Sequence, residues 1–199
     1  MLAPLLFSLF ACSGPATDSA DSGEDSASIQ ADGPLFAPYA EDGKSVEQVE
    51  PARYLGVWYE IATTPSQQQK ACAGTTAEYS LIDNDTIGVT NRCYLGNLNG
   101  RLNEIEATAR VLDDSYARLM VDFGFGFEAP YNVIELVENP GEELYSYAVV
   151  RSSTVQYWIL SRTPQMPDEL YEELLARIDG WGKDSSKLIK TKQPDNERE

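Results

Sequence analysis

A series of eight short runs between residues 56 and 162 constrains the fold more than any other feature of this sequence. In residues 76–81, polar side chains at even positions alternate with apolar side chains at odd positions, as in a strand with one buried face. Turn-forming residues separate the runs, and no helical pattern intervenes. Eight such strands pair as a sandwich or close as a barrel, and closure leaves no exposed edge strand. Strands are predicted at residues 56–63, 75–82, 87–93, 104–112, 118–123, 131–137, 144–151 and 156–162.

Closure of these strands predicts an all-β fold: an eight-stranded antiparallel up-and-down β-barrel with one C-terminal α-helix packed on its wall. The helix is indicated by residues 167–181, where Leu170, Leu174 and Ile178 recur at helical spacing among polar residues. We interpret this apolar stripe as packing. A barrel of this size leaves an interior wide enough for one small ligand.

The N-terminal region differs in composition from the rest of the chain. Residues 2–11 form an apolar run that is too short for the roughly 20 residues of a membrane-spanning helix and is typical of a signal peptide. Residues 13–33 have too few apolar side chains to offset the entropy of ordering. We therefore predict a signal peptide at 1–11, a flexible acidic tether at 12–45, a barrel domain at 46–193 and a tail at 194–199.

Residues 9–12, Leu-Phe-Ala-Cys, resemble the lipobox of bacterial lipoproteins. The resemblance implies cleavage before Cys12, lipidation of Cys12 and attachment to a membrane of the bacterial cell envelope. Ser13, rather than Asp, follows the cysteine and implies delivery to the outer membrane. The alternatives are an ordinary signal peptide cut after Ala11 or Ala16, or a disordered N-terminus in which Cys12 has no role.

Composition excludes several function classes. The net charge of −17 argues against a nucleic-acid partner, because phosphates are bound mainly by Lys and Arg. The absence of histidine removes the commonest general base, the usual proximal haem ligand and the most frequent zinc ligand. We predict neither a metal nor a cofactor, and the oligomeric state is left open.

Four motifs occur in order along the folded region. The first contains Gly56 and Trp58 in a Gly-x-Trp pattern at the start of the first strand, and the third begins at Trp158 on the last strand. Together the motifs resemble the lipocalins, and specifically the bacterial outer-membrane lipocalin and apolipoprotein D group. The resemblance covers roughly residues 51–193. The motifs lie at residues 53–62, 132–136, 158–165 and 185–191.

The resemblance gives structural roles to Gly56, Trp58 and Arg162. We expect Trp58 to plug the closed end of the barrel. Arg162 is expected to lie across the indole in a cation–π contact while donating hydrogen bonds to nearby carbonyls. These residues are therefore interpreted as holding the fold and not as contacting the ligand.

Ligand contacts are expected at four other residues. Tyr79, Asn91 and Trp158 match positions that line the cavity in the apolipoprotein D branch. Tyr131 follows the glycine- and phenylalanine-rich loop 123–127 and is expected to reach the barrel mouth. The alternative for each is an ordinary core residue, because a barrel interior needs filling whether or not it binds anything. The loop itself is either an apolar lip that contacts ligand or membrane, or a hairpin whose glycines permit positive φ.

Cys72 and Cys93 flank the hairpin of the second and third predicted strands. Two such cysteines in an exported protein usually pair. Pairing requires an offset or bulged register that brings the Cα atoms within about 7 Å. We predict this disulfide.

The leading functional hypothesis is a binding protein without enzymatic activity. Its ligand would be a fatty acid, a lysophospholipid or a similar small hydrophobic molecule, transported or stored in the cell envelope. One alternative is an enzyme that uses a cavity cysteine, for which Cys72 or Cys93 would need a free thiol. Another is a scaffold lipoprotein whose barrel interior is filled by its own side chains.

Overall fold

The computed structural model describes residues 34–39, 44–64, 72–124, 126–152 and 156–195. The predicted signal peptide, Cys12 and most of the tether lie outside this part of the chain, as do the last four residues of the predicted tail. Ten strands, two α-helices and one short 3-10 helix form within it. The strands are β1 Leu35–Phe36, β2 Gly56–Thr63, β3 Cys72–Asp83, β4 Thr86–Leu95, β5 Leu102–Val111, β6 Arg118–Asp122, β7 Glu128–Glu138, β8 Tyr147–Arg151, β9 Tyr157–Ser161 and β10 Ile189–Lys190. The helices are α1 Pro51–Tyr54, α2 Asp168–Gly180 and the 3-10 turn Ser185–Lys187.

Strands β2 to β9 form a closed ring. Each strand pairs antiparallel with the next, and β9 pairs back onto β2 through Tyr59 and Ser161. This confirms the predicted eight-stranded antiparallel β-barrel with a C-terminal helix. Because every pairing is used, the ring has no free edge strand.

The two short strands fill gaps where ring strands diverge. The pairing of β6 with β7 uses residues 128–132 of β7, and β1 pairs with Val137 and Glu138 farther along the same strand. Likewise β3 pairs with residues 56–59 of β2, and β10 pairs with Ala62 and Thr63. The segments before and after the ring therefore provide hydrogen-bond partners for parts of β7 and β2 that have no partner from β6 and β3, respectively.

One end of the barrel is closed by the segment that precedes β2. Val46, Val49 and Tyr54 of this segment are buried in the interior core cluster. Turns 83–86, 112–117 and 139–146 lie at this end. The chain leaves β4, β6 and β8 at the opposite end, which we call the mouth.

A second core lies between the barrel wall and α2. The predicted stripe is confirmed, since Leu170, Leu174 and Ile178 are buried against outward-facing apolar residues of the strands, including Ile159. With 13 residues, α2 is the longest helix of the described residues. No helix within the described ranges has the length and apolar character needed to cross a membrane.

Most strands begin or end one to three residues from their predicted bounds, and two of these differences have a clear physical reason. The strand expected at residues 144–151 begins at Tyr147, because Tyr145 turns across the closed end and its N–H donates to the Arg53 carbonyl. The strand expected to begin at Tyr131 begins earlier, at Glu128, and includes Pro130. Proline is tolerated there because β8 pairs with β7 only from Asn132 onward, which leaves β7 with one neighbour at Pro130.

The predicted disulfide between Cys72 and Cys93 is confirmed, with the two Cα atoms 5.4 Å apart. Cys72 pairs in register with Leu95, and the register shifts between Ala73 and Thr76. This is the offset that the pairing required. The bond ties β3 to β4 at the mouth end.

Candidate ligand-binding site

The floor of the barrel is built around Trp58. Its side chain is fully buried, and its indole N–H donates to the Tyr54 carbonyl at 2.7 Å. The Arg162 guanidinium lies 3.9 Å from the centre of the Trp58 ring. Gly56, two residues earlier, has φ of +92°, a conformation that side chains other than glycine rarely adopt. The Gly-x-Trp pattern thus combines a backbone turn with a plug.

Arg162 also binds the backbone around the plug. Its guanidinium donates to the carbonyls of Val57 at 2.8 Å, Arg53 at 2.9 Å, Tyr54 at 3.0 Å and Tyr145 at 3.1 Å. These carbonyls belong to the α1 region, the start of β2 and the turn before β8. One planar cation therefore joins three segments of the closed end.

Three tyrosines form a hydrogen-bonded chain in the barrel interior. The Tyr54 and Tyr131 hydroxyls are 2.7 Å apart, and the Tyr131 hydroxyl donates to the Tyr79 hydroxyl at 2.8 Å. Burial raises the pKa of Tyr79 to about 12 and that of Tyr131 well above its ordinary value. Both phenols therefore stay neutral over the physiological pH range. Tyr131 differs from expectation, because its hydroxyl lies in this chain near the floor and not at the mouth.

The space beside these tyrosines is too small for a lipid. A cavity of about 10 Å³ lies among Tyr54, Tyr79, Tyr131, Ile87 and Leu119. A volume of this size holds at most about one water molecule. Any larger guest has to lie nearer the mouth than the tyrosine chain.

Above the tyrosines, the inner wall becomes progressively exposed toward the mouth. On the inward face of β5, Ala109 is fully buried, Ala107 is half-buried and Ile105 is 50% exposed. On β6, Val121 is buried and Phe123, which follows the strand, is exposed. Ala107, Ala109 and Val121 contribute small side chains to the interior here. This pattern is that of a hollow open to solvent at one end.

Asn91 and Trp158 belong to this middle level. Asn91 pairs with Ala77 and Ile105 across the sheet, and Trp158 pairs with Val150. Both side chains are partly exposed, whereas Tyr79 on the same inner face is buried. Of the four expected ligand residues, the structure brings Tyr79 and Tyr131 into contact and places Asn91 and Trp158 nearer the mouth.

Glu60 is an inward-facing acid that the sequence argument missed. It pairs with Leu160, a member of the interior core, and it is only 5% exposed. Its Oε1 accepts a hydrogen bond from the Thr191 hydroxyl at 2.5 Å. Burial raises its pKa from 4.5 to about 7, and the Thr191 hydrogen bond opposes that rise. Strand parity was the available signal, because Glu60 lies two residues after Trp58 on the same strand.

The loop at the mouth carries two exposed aromatic rings. Phe123 and Phe127 have ring centres 5.7 Å apart, and Phe127 is 64% exposed. The Phe123 N–H donates to the Phe127 carbonyl at 3.0 Å, which closes a hairpin. Gly124 and Gly126 have φ of +82° and +79°, so the glycines permit the turn. Phe125 lies outside the described residues.

A second, larger cavity lies outside the ring. It has a volume of about 140 Å³ and lies between the C-terminal strand and the start of α2, where Asp168 and Lys190 form an ion pair at 3.3 Å. Thr191 and Gln193 also line it. We call this space the outer cavity.

Comparison with known proteins identifies the family. A profile of lipocalin-like domains matches residues 49–193. The chain is 40% identical over 146 residues to putative lipocalin R877 of Acanthamoeba polyphaga mimivirus, covering 69% of this chain and 81% of that protein. It is 36% identical over 151 residues to outer membrane lipoprotein Blc of Escherichia coli K12, covering 75% and 82%. It is 30% identical over 158 residues to mouse apolipoprotein D, covering 74% and 78%.

Solved structures agree on the fold. Insecticyanin from the tobacco hornworm Manduca sexta superposes with a TM-score of 0.60 at 22% identity, over 82% of this chain and 91% of that one. At this identity the likeness shows the fold alone. The profile match and the sequence relatives go further, and they show that this chain belongs to the lipocalin family.

Proposed function

We propose that this protein is a membrane-anchored lipocalin that binds a single-chain lipid, such as a fatty acid or lysophospholipid, for transport or storage in the bacterial cell envelope. The proposal rests chiefly on the rise in exposure along the inner wall, from Ala109 to Ile105. A barrel filled by its own side chains, as the scaffold hypothesis requires, would bury all of these positions. Members of the lipocalin family bind small hydrophobic ligands, and this chain has the family's barrel.

The ligand contacts we propose are Asn91 and Trp158 on the middle wall and Tyr79 and Tyr131 below them. The indole of Trp158 offers apolar area, and the Asn91 amide offers one acceptor and two donors. The acyl chain would gain about 0.8 kcal/mol for each buried methylene group. Affinity would therefore come mainly from the chain, with the polar side chains setting its orientation.

Attachment through a lipidated Cys12 is the second part of the proposal. The relatives from Escherichia coli and Vibrio cholerae are outer membrane lipoproteins by name. The lipobox-like residues 9–12 of this chain support the same location for it. Replacing Cys12 with Ser should move the protein from the membrane fraction to the soluble fraction after cell lysis. An unchanged distribution, with the protein still exported, would refute the anchor.

A cysteine-dependent enzyme is disfavoured by the disulfide. Cys72 and Cys93 bond to each other, so neither offers a free thiolate as nucleophile. Titration of free thiols in the oxidised, unfolded protein tests this point. A free thiol at either position would reopen the enzymatic alternative.

Native mass spectrometry of protein purified from its own envelope, followed by solvent extraction, tests lipid binding directly. A co-purifying lipid would support the proposal. Repeated absence of lipid, together with no uptake of a fluorescent fatty acid, would contradict it and favour the scaffold hypothesis.

A further inference from the structure

We propose that, among the single-chain lipids of the proposed function, Glu60 makes the inner wall selective for ligands whose polar end donates hydrogen bonds or is positively charged. Long-chain alcohols, amines and lysophospholipids with an ammonium group would then bind better than ionised fatty acids. The inference rests on the proposed function, because it assumes that a ligand enters the barrel. It adds the chemical class of the head group and the residue that selects it.

Glu60 lies on the inner wall just above the floor of the barrel. It is two residues nearer the mouth than Trp58 on β2, and both side chains face inward. The cavity of about 10 Å³ beside the tyrosines excludes a head group from the floor. A guest whose polar end points toward the floor would therefore meet the Glu60 carboxyl.

The seam around Glu60 contains buried polar atoms without hydrogen-bond partners. Gln193 is 9% exposed, and its Nε2 donates to the carbonyls of Glu60 and Thr75 at 2.8 Å each. Because Nε2 is the donor in both bonds, the amide oxygen Oε1 is the atom left as an acceptor. This oxygen is buried and has no hydrogen-bond partner. The buried Thr75 hydroxyl, which can donate or accept, has no partner either. Buried acceptors without partners favour a guest that brings donors.

No cation offsets the acid in the described part of the chain. The elements packed against Glu60 carry these charged and titratable groups: Glu78, Tyr79 and Asp83 on β3, Tyr157 on β9, Arg162 after β9, and Lys190 and Lys192 in the C-terminal segment. None of them forms an ion pair with Glu60 within the described residues. Lys190 bonds Asp168 and lies over Tyr171, Lys192 is exposed, and Arg162 lies under Trp58.

The charge on Glu60 should therefore control which head groups are accepted. Because burial raises its pKa to about 7, the carboxyl is neutral in mild acid and negative in mild base. A negative carboxylate in a dry wall repels an anionic head group and attracts an ammonium. A neutral hydroxyl head group should be indifferent to this change.

Three single-chain probes test the inference: dodecylamine, dodecanol and dodecyl sulfate, which stay cationic, neutral and anionic between about pH 5.5 and about pH 8.5. Their affinities are measured on the full-length protein, below micelle-forming concentrations, by displacement of the neutral fluorophore N-phenylnaphthylamine. From the lower to the higher pH we expect dodecylamine to bind at least about tenfold tighter and dodecyl sulfate at least about tenfold weaker, with dodecanol changing less than about twofold.

Glu60→Gln should remove both pH effects, because the amide is isosteric and does not titrate. Glu78→Gln is the matched control, since Glu78 lies on the outer face of β3 and pairs with Arg92 at 2.6 Å. It removes the same charge and should keep the wild-type pH profile. Asp168→Asn, which alters the outer cavity, should also keep it.

The outcomes distinguish a failure of the role of Glu60 from a failure of lipid binding itself. If none of the three probes displaces the fluorophore from wild-type protein, lipid binding fails and the inference falls with it. If dodecanol binds but Glu60→Gln retains the wild-type pH profile, only the role of Glu60 is wrong. A profile lost in Asp168→Asn instead would place the binding in the outer cavity and overturn the inference.

Discussion

At the scale of single residues, the closed end depends on Arg162 more than on any other polar side chain. One guanidinium covers the Trp58 ring and donates to four backbone carbonyls. A lysine retains the charge but has no planar fork, so it cannot satisfy these acceptors together. The backbone carbonyls that Arg162 binds would lose their donors while remaining beside the buried Trp58 ring.

Arg162→Lys should therefore destabilise the protein by about 2 kcal/mol or more in urea unfolding, because hydrogen bonds to charged groups contribute about 1.5–3 kcal/mol. Arg110→Lys, on the exposed outer face of β5, is the control and should stay within about 0.5 kcal/mol of wild type. Equal stability of the two variants would show that the Arg162 contacts contribute nothing net.

Glu60 should also affect stability as a function of pH. Its pKa is about 7 in the folded protein and near 4.5 when unfolded, so the folded state holds a proton that the unfolded state has lost between these values. Unfolding then releases a proton, and the free energy of unfolding falls as pH rises from about 4.5 to about 7. The raised pKa corresponds to a loss of about 3 kcal/mol above this window.

Glu60→Gln should flatten that part of the profile and be more stable than wild type at about pH 8, as measured by urea unfolding across the range. Burial likewise raises the pKa of Glu135 to about 7, although Arg177 opposes the rise. Glu135 contributes equally to the pH dependence of wild type and of Glu60→Gln. The difference between their unfolding free energies therefore reports on Glu60 alone. Parallel profiles for wild type and Glu60→Gln would contradict the raised pKa.

At the scale of elements, the C-terminal segment acts as a wedge between β2 and β3. The segment after β10 accepts the Gly74 N–H at the Lys192 carbonyl, at 2.7 Å, and the Thr191 N–H donates to the Ile61 carbonyl at 2.9 Å. Gln193 then bridges both strands beyond the point where their own pairing stops. A segment from the far end of the chain thus completes the barrel wall beside Glu60.

Gln193→Ala should cost about 2 kcal/mol of unfolding free energy, because it leaves the buried carbonyls of Glu60 and Thr75 without their donor. Lys192→Ala is the matched control, since that side chain is exposed and its backbone contact with Gly74 remains. Chemical denaturation of the two variants shows whether the Gln193 side chain stabilises the contact between β2 and β3 or contributes nothing to stability. Equal losses in both would refute the wedge.

The disulfide between β3 and β4 acts on the unfolded chain. It closes a loop with a sequence separation of 21 residues, for which chain-entropy arguments give about 3 kcal/mol. The double variant Cys72→Ala, Cys93→Ala should lose about this amount in urea unfolding while retaining lipid binding. Loss of binding by a folded double variant would instead give the bond a role in shaping the mouth.

At the scale of the whole molecule, a closed ring of strands separates an inner surface from an outer one. The inner surface has a packed floor of aromatic rings and a wall of small side chains above it. The outer surface is covered in part by α2 and its own core. Binding in such a barrel depends on the wall remaining unfilled.

Ala107→Trp tests this dependence, because Ala107 faces inward and is half-buried. The added indole should occupy the hollow, lower the affinity for a neutral apolar fluorophore by about tenfold or more, and change stability by less than about 2 kcal/mol. Thr108→Trp adds the same ring to the exposed outer face and should bind normally. Unchanged affinity in Ala107→Trp would mean that the fluorophore binds elsewhere.

Most of the fold was predictable because its determinants are local. Alternation along each strand, turn residues between strands and the helical stripe of α2 depend only on neighbouring positions, and they predicted the ring and its helix. The contact of Arg162 with Trp58 was expected from the family motifs. The disulfide was expected because Cys72 and Cys93 flank one hairpin of a protein predicted to be exported. The sequence by itself therefore determined the architecture, the family and the residues that close the barrel floor.

Only the tertiary structure decided the details of the inner wall. The bulge between Glu60 and Ala62 changes which side chains face inward, and Gln193 reaches Glu60 from 133 positions away along the chain. The same holds for Tyr131, whose hydroxyl meets tyrosines from two other segments near the floor. Such placements depend on how strands twist and diverge when the ring closes, and no local pattern records that geometry.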